Sequence, residues 1–157
     1  MNPSIQTQAT GLLQVATFRL EGRLFGVDIR LVKEISEETR LVPVHHASPS
    51  IGGLLNIRGQ IHLVVDLRIE FRFPSQSPGP QSRVLLFKPI VDEPFGILVD
   101  SVEDIIEIDL AQMMDRRQSE APGEALNEQR RARQNLCTGV CPLERELLLL
   151  LNPYAIL

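Results

Sequence analysis

Two cysteines and three histidines are the residues of this chain whose types could hold a metal ion or a redox couple. Cys137 and Cys141 stand four apart, far downstream of His45, His46 and His62. Structural zinc sites draw four ligands from paired C-x2-C or H-x3-H spacings, because two ligands on one turn reach the same ion. Here C-x3-C stands without a second pair. The cysteines therefore read as small hydrophobes of a reduced compartment. His45-His46, between Pro43 and Pro49, reads as a solvated loop pair rather than a general base. The sequence has no G-x-S-x-G, no G-x-x-x-x-G-K-[ST], no H-E-x-x-H, and no G-x-G-x-x-G after a strand. Gly22, Gly26, Gly52, Gly53, Gly59 and Gly96 lie beside or inside β-prone runs, where glycine marks a bulge or a tight corner. The expectation is a chain without catalysis, cofactor or metal. The alternative that these residues leave open is a small-ligand or metal-sensing β-barrel using Cys137, Cys141 and the histidines.

The elements that must position any site follow from composition and pattern. Leu, Ile, Val and Phe make up about a third of the 157 residues, well above the roughly 20% below which chains stay disordered. One folded domain is expected. Sixteen Lys and Arg against 20 Asp and Glu give a net charge of −4, which offers no field for a phosphate backbone and disfavours nucleic acid as a partner. No apolar run approaches the ~18 residues of a membrane helix, and no Lys or Arg precedes Arg19 to form a signal-peptide head. A cytoplasmic protein without membrane insertion is expected.

Residues 1–14 are polar and uncharged and read as a flexible tail. Residues 15–20 and 24–29, around Glu21-Gly22-Arg23, read as a hairpin with Phe18 and Leu20 on one face and Phe25, Val27 and Ile29 on the matching one. Residues 30–36 fit either a helical turn or a strand, and 37–50 a loop. Over 61–73 apolar residues hold every odd position, which predicts one strand with His62, Asp66, Arg68, Glu70 and Arg72 on a wet face. Pro and Gly make 74–82 a loop. Residues 83–91 and 95–108 read as strands buried on both faces, and 146–151 as a buried strand before a terminal turn. The polar stretch from Asp109 to Gln134 reads as a short helix to about 118, a turn at Pro122-Gly123, and a second polar segment. No internal repeat is visible. Seven or more short strands with little helix predict a mainly β barrel or sandwich.

The segment Gly53-Leu54-Leu55-Asn56-Ile57-Arg58-Gly59-Gln60-Ile61-His62-Leu63-Val64-Val65-Asp66-Leu67-Arg68 resembles the central signature of the CheW family of bacterial chemosensory coupling proteins, G-x-x-N-L-R-G-x-I-x-P-V-x-D-L. Phe18 to Ile29 and Val32-Lys33-Glu34-Ile35 resemble its opening hairpin and V-x-E-I element. Residues 95–102, Phe-Gly-Ile-Leu-Val-Asp-Ser-Val, resemble its G-x-x-V-D-x-V strand, and 147–157 its last strand and helix. The resemblance implies two small five-stranded β-barrel subdomains packed together over 15–157, with a few short helices and a polar insertion at about 113–135. It implies a non-catalytic adaptor linking the cytoplasmic tips of methyl-accepting chemoreceptors to the regulatory domain of a CheA-type histidine kinase, within membrane-attached arrays. Interfaces reserved for other chains imply a monomer in isolation.

Carried over residue by residue, the resemblance implies partner contacts at Val32, Glu34, Gly53, Arg58, Val84, Gly96 and Ile105. Core packing is the competing role for Val32, Val84 and Ile105, and backbone conformation for Gly53 and Gly96. Glu34 and Arg58 are expected to form a bidentate pair that fixes the groove between barrels, with a purely structural salt bridge as the competing role. Leu63 stands where the family has proline, restoring a backbone donor. The 113–135 segment departs from the family pattern, and with the chain stopping at Leu157 a short terminal helix is expected.

Overall fold

Alternation of large apolar residues builds the first hairpin, β1 (Leu12–Leu20) and β2 (Arg23–Asp28), with Phe18 opposite Phe25. Its two-residue turn, Glu21-Gly22, has φ of 52° and 74°, the left-handed pair whose twist matches that of the strands. The computed structural model describes residues 11–89, 93–114 and 136–156. Of the flexible tail expected over 1–14, Leu12 to Gln14 belong instead to β1; residues 1–10 lie outside the described residues.

After a 3-10 turn (Ile29–Leu31) come β3 (Val32–Ser36), β4 (Ile51–Ile57), β5 (Gln60–Asp66), a one-turn helix α1 (Leu67–Glu70), β6 (Arg83–Phe87), β7 (Phe95–Val99), β8 (Ser101–Asp109), a 3-10 turn (Leu110–Gln112), β9 (Cys137–Pro142), β10 (Leu147–Leu151) and a last 3-10 turn (Pro153–Ala155). The long strand expected over 61–73 stops at Asp66, whose carboxylate accepts from the Arg68 amide at 3.0 Å and so starts α1. The expected wet face is also absent: His62 and Arg68, which should lie on it, are buried, while Ile61 of the other face is exposed. The run 95–108 is two strands rather than one, broken at Asp100, and β8 presents Glu103, Asp104, Ile105 and Glu107 outward. Of the helix expected at 109–118, the described part is the 3-10 turn and a bridge from Met114 to Val140; residues 115–135 lie outside the described residues.

The strands form two five-stranded sheets, ordered β8-β1-β2-β10-β9 and β3-β6-β7-β5-β4. Each has one parallel pair, β2 with β10 and β5 with β7. Adding five to a strand's number carries β1–β5 onto β6–β10 and one sheet onto the other. A structural repeat is therefore present, and it has a sequence trace. Phe25-Gly26-Val27 and Val32-Lys33-Glu34-Ile35 recur as Phe95-Gly96-Ile97 and Val102-Glu103-Asp104-Ile105, at the same spacing. Each half begins in one sheet and finishes in the other.

Three cores follow from this arrangement. Phe18, Phe25 and Val27 of the first sheet meet Leu85, Phe87, Phe95 and Ile97 of the second in a shared core. Val15, Leu24, Ile108 and Leu148 fill the curl of the first sheet, and Leu55, Val64, Val84 and Leu86 that of the second. Burying each such side chain contributes about 1.5–3 kcal/mol. One backbone bridge spans the seam of each curl, Val42 to Leu54 and Met114 to Val140. Leu63, on the interior strand β5, uses the N–H that proline would lack to reach Pro94 O at 3.1 Å.

Candidate functional site

The β4–β5 hairpin closes through Arg58-Gly59, at φ of 50° and 85°, and Asn56 Oδ1 accepts from the Gly59 amide at 2.9 Å. This turn brings Arg58 to the tip of β4–β5, beside β3. Its Nη2 donates to Glu34 Oε1 at 2.5 Å, while Lys33 Nζ donates to Gln60 Oε1 at 3.0 Å. β3 and β4 are opposite edges of one sheet, so the pair clasps a curl. It does not span the groove between sheets, and it makes one hydrogen bond rather than the expected bidentate two. Arg58 remains 74% exposed and Glu34 27%, which leaves guanidinium N–H groups free to reach outward.

The other expected contact residues divide by burial. Ile105 on β8 is 59% exposed, and Val32 is half-buried against the shared core. Val84 is fully buried inside the second curl and has no surface for a partner. Gly53 and Gly96 are buried as well. A Cβ at Gly96 would lie 2.5 Å from Leu85 O, and one at Gly53, where φ is +149°, 2.6 Å from Val42 O. Their lack of a side chain lets backbones approach. Sequence reasoning passed over Ile35, 43% exposed on β3, although the V-x-x-I recurrence pointed to it.

The first sheet is clasped by other chemistry. Arg19 on β1 donates to Glu146, in the β9–β10 turn, at 2.6 Å and to Glu103 on β8 at 2.5 Å. Hydrogen bonds donated to Glu146 and then to Glu103 push the Arg19 guanidinium further above its ordinary value, and Arg19 in turn holds the Glu146 carboxyl below the usual carboxylate range. The β8 strand thus carries Glu103, Asp104 and Glu107 near Ile105, with Glu103 paired to Arg19, where the β3 strand carries Lys33 and Glu34 before Ile35, with Glu34 paired to Arg58.

Sequence reasoning also passed over Arg68. Its side chain is only 4% exposed and donates to Asp100 and Glu21, with Pro74 O a third acceptor at 3.1 Å. The hydrogen bond to Asp100 leads the causes that raise its pKa.

Cys137 packs in the shared core and Cys141 in the first curl, where burial pushes the Cys141 thiol up. His62 is buried on β5, while His45 and His46 lie in an exposed loop. Among the described residues, no three His, Cys, Asp or Glu side chains come together as metal ligands, so the metal-sensing alternative lacks an assembled site there.

The class defined by this geometry is a duplicated two-sheet β module with candidate residues on two equivalent edge faces. Residues 14–157 match the family model of the CheW-like domain, and the chain belongs to that family. It is 28% identical over 95 residues to the chemotaxis protein CheW of Rhizobium meliloti (strain 1021), covering 60% of this chain and 61% of the relative. With that of Bacillus subtilis (strain 168) it is 25% identical over 95 residues, 60% of each chain. The matches thus span about three fifths of these relatives. The crystal structure of the scaffolding protein TtCheW from Thermoanaerobacter tengcongensis superposes with a TM-score of 0.72 at 21% identity, covering 89% of this chain and 88% of that one, a likeness of fold. Among the described residues no helix is long and apolar enough to cross a membrane.

Proposed function

We propose that the chain is a non-catalytic adaptor of a bacterial chemosensory array, coupling the cytoplasmic tips of methyl-accepting chemoreceptors to the regulatory domain of a CheA-type histidine kinase. The observation that carries this reading is the pair of equivalent faces, each with an exposed isoleucine, Ile35 on β3 and Ile105 on β8. An adaptor needs two surfaces apolar enough to bind and polar enough to stay dissolved when free. The different charges beside the two isoleucines, Lys33 with the Arg58–Glu34 pair on β3 and Glu103, Asp104 and Glu107 on β8, supply a means of telling two partners apart, because complementary charge steers encounter and like charge rejects it. Membership of the CheW-like family supports the same reading. The protein acts in the cytoplasm beside membrane-attached receptors and is a monomer until a partner arrives.

Co-sedimentation of the purified chain with a receptor cytoplasmic fragment and a kinase regulatory domain from the same genome tests this. Binding to both is expected, together with light scattering of a monomer at micromolar concentration. Failure to bind either partner overturns the proposal.

A further inference from the structure

The corner occupied by Arg68 joins the two sheets through directional contacts. α1 follows β5 of the second sheet, yet the Arg68 guanidinium donates to Glu21 in the β1–β2 turn of the first sheet and to Asp100, where the chain crosses from β7 to β8. Asp100 is held in its turn: its Oδ2 accepts from the Glu21 amide at 2.9 Å, and its own N–H donates to Arg19 O at 3.0 Å. Beside this cluster Phe71 packs on Phe25, with ring centres 5.2 Å apart, and the Arg23 guanidinium lies 5.6 Å from the centre of the Phe73 ring. Both contacts also run from one sheet to the segment that follows the other.

The repeat allows a comparison with the opposite corner. Arg68 is the second residue after the capping Asp66, and Tyr154 is the second after the capping Asn152. Tyr154 is exposed, and the arginine of that corner, Arg30, pairs with Asp28 two residues away instead of bridging the sheets. The shared apolar core resists separation of the sheets but is non-directional, so it favours contact without selecting an angle. A planar guanidinium fork on two carboxylates selects one.

We propose that Arg68 is a positioning residue that fixes the angle between the two sheets, and with it the relation of the β3 face to the β8 face. The geometry of the corner carries the proposal; its consequence for partners rests on the adaptor reading. Glu21 and Asp100 are each more than a third exposed, so both carboxylates regain water when Arg68 is replaced, and the fold is expected to survive.

Backbone residual dipolar couplings of the full chain supply the test. In the unmodified protein one alignment tensor is expected to fit β1, β2 and β8–β10 together with β3–β7. In Arg68→Gln each sheet is expected to fit its own tensor equally well, while the two tensors differ in orientation. A single tensor with the original orientation overturns the proposal. If Arg68→Gln does not fold, the double variant Glu21→Gln with Asp100→Asn removes the acceptor charges from the other side, and a single tensor there overturns it equally. The measurement involves no partner, so its failure is distinct from failure of the adaptor reading.

Discussion

Ile35 stands opposite Leu85 and Ile105 opposite Ala16, and the repeat carries Ala16 onto Leu85, so the two isoleucines occupy the same place in the two halves of the chain. Their burial agrees with their register, since both are exposed while Val32 and Val102, three residues earlier, pack against the shared core. One backbone solution thus generates two surfaces, and the side chains around them set them apart.

Ile35→Asp and Ile105→Asp should each leave the melting temperature nearly unchanged, within about 0.5 kcal/mol, because exposed positions away from the core tolerate substitution. Each should weaken a different partner by about 2 kcal/mol, the scale of an interface anchor. Titration calorimetry with receptor fragment and kinase domain separately checks this, and loss of the same partner in both variants would contradict the two-face reading.

Arg58→Asn separates bracing from binding. Asparagine tolerates the positive φ at this turn, and an exposed ion pair contributes only about 0–1 kcal/mol. Stability should therefore change by less than about 1 kcal/mol while partner affinity falls. A drop in melting temperature matching about 3 kcal/mol would show that the Glu34 clasp is a structural brace.

Gly96→Ala and Gly53→Ala should behave in the opposite way, lowering stability by about 1–3 kcal/mol through overpacking against the backbone of Leu85 and Val42. Any loss of binding should track the loss of folded protein in thermal melts. Full stability with impaired binding would place these glycines at an interface after all.

His62→Leu should hold or raise the melting temperature, by up to about 1 kcal/mol. Both ring nitrogens of His62 are buried with no hydrogen-bond partner, and an apolar replacement of similar volume removes that desolvation cost. A clear loss of stability would mean that the imidazole is satisfied in the folded protein.

Acid should loosen the first-sheet clasp. Arg19 lowers the Glu146 pKa below its ordinary 4.5, so this carboxylate contributes stability above that value and loses it as pH falls through the lower folded-state value. Thermal melts between pH 7 and pH 3, read against Glu146→Gln, check this: the variant should show a shallower decline on the acid side.

The first hairpin and the mainly β character were legible in the sequence because period-2 alternation and turn chemistry are local, whereas β4 and β9, short and interrupted by glycine, were not read as strands. The other failures have a common physical origin in the curling of each sheet. Over 62–65 of β5, Leu63 and Val65 face the shared core while Val64, with His62 on its side of the strand, faces the inside of the curl, so both faces are covered there and alternation ceases to report solvent. A single helical turn at α1 also preserves the odd-position apolar pattern, which hid the end of the strand. Asp100 was lost inside a continuous apolar run that turns a corner. Arg68 was overlooked because its partners lie 47 and 32 residues away in sequence, a distance over which local pattern carries no information.

The exchange of strands between halves bears on how the protein is made. β2 pairs directly with β10, Leu24 beside Leu148, so the first sheet cannot be completed while the ribosome has delivered only the opening half. The β1–β2 hairpin must wait, with both its outer edges unpaired, until β8 and β10 emerge. During that interval its exposed backbone is open to pairing with other nascent chains. Cutting the chain in the 74–82 loop would produce two fragments that each hold part of both sheets, and neither would contain a whole one.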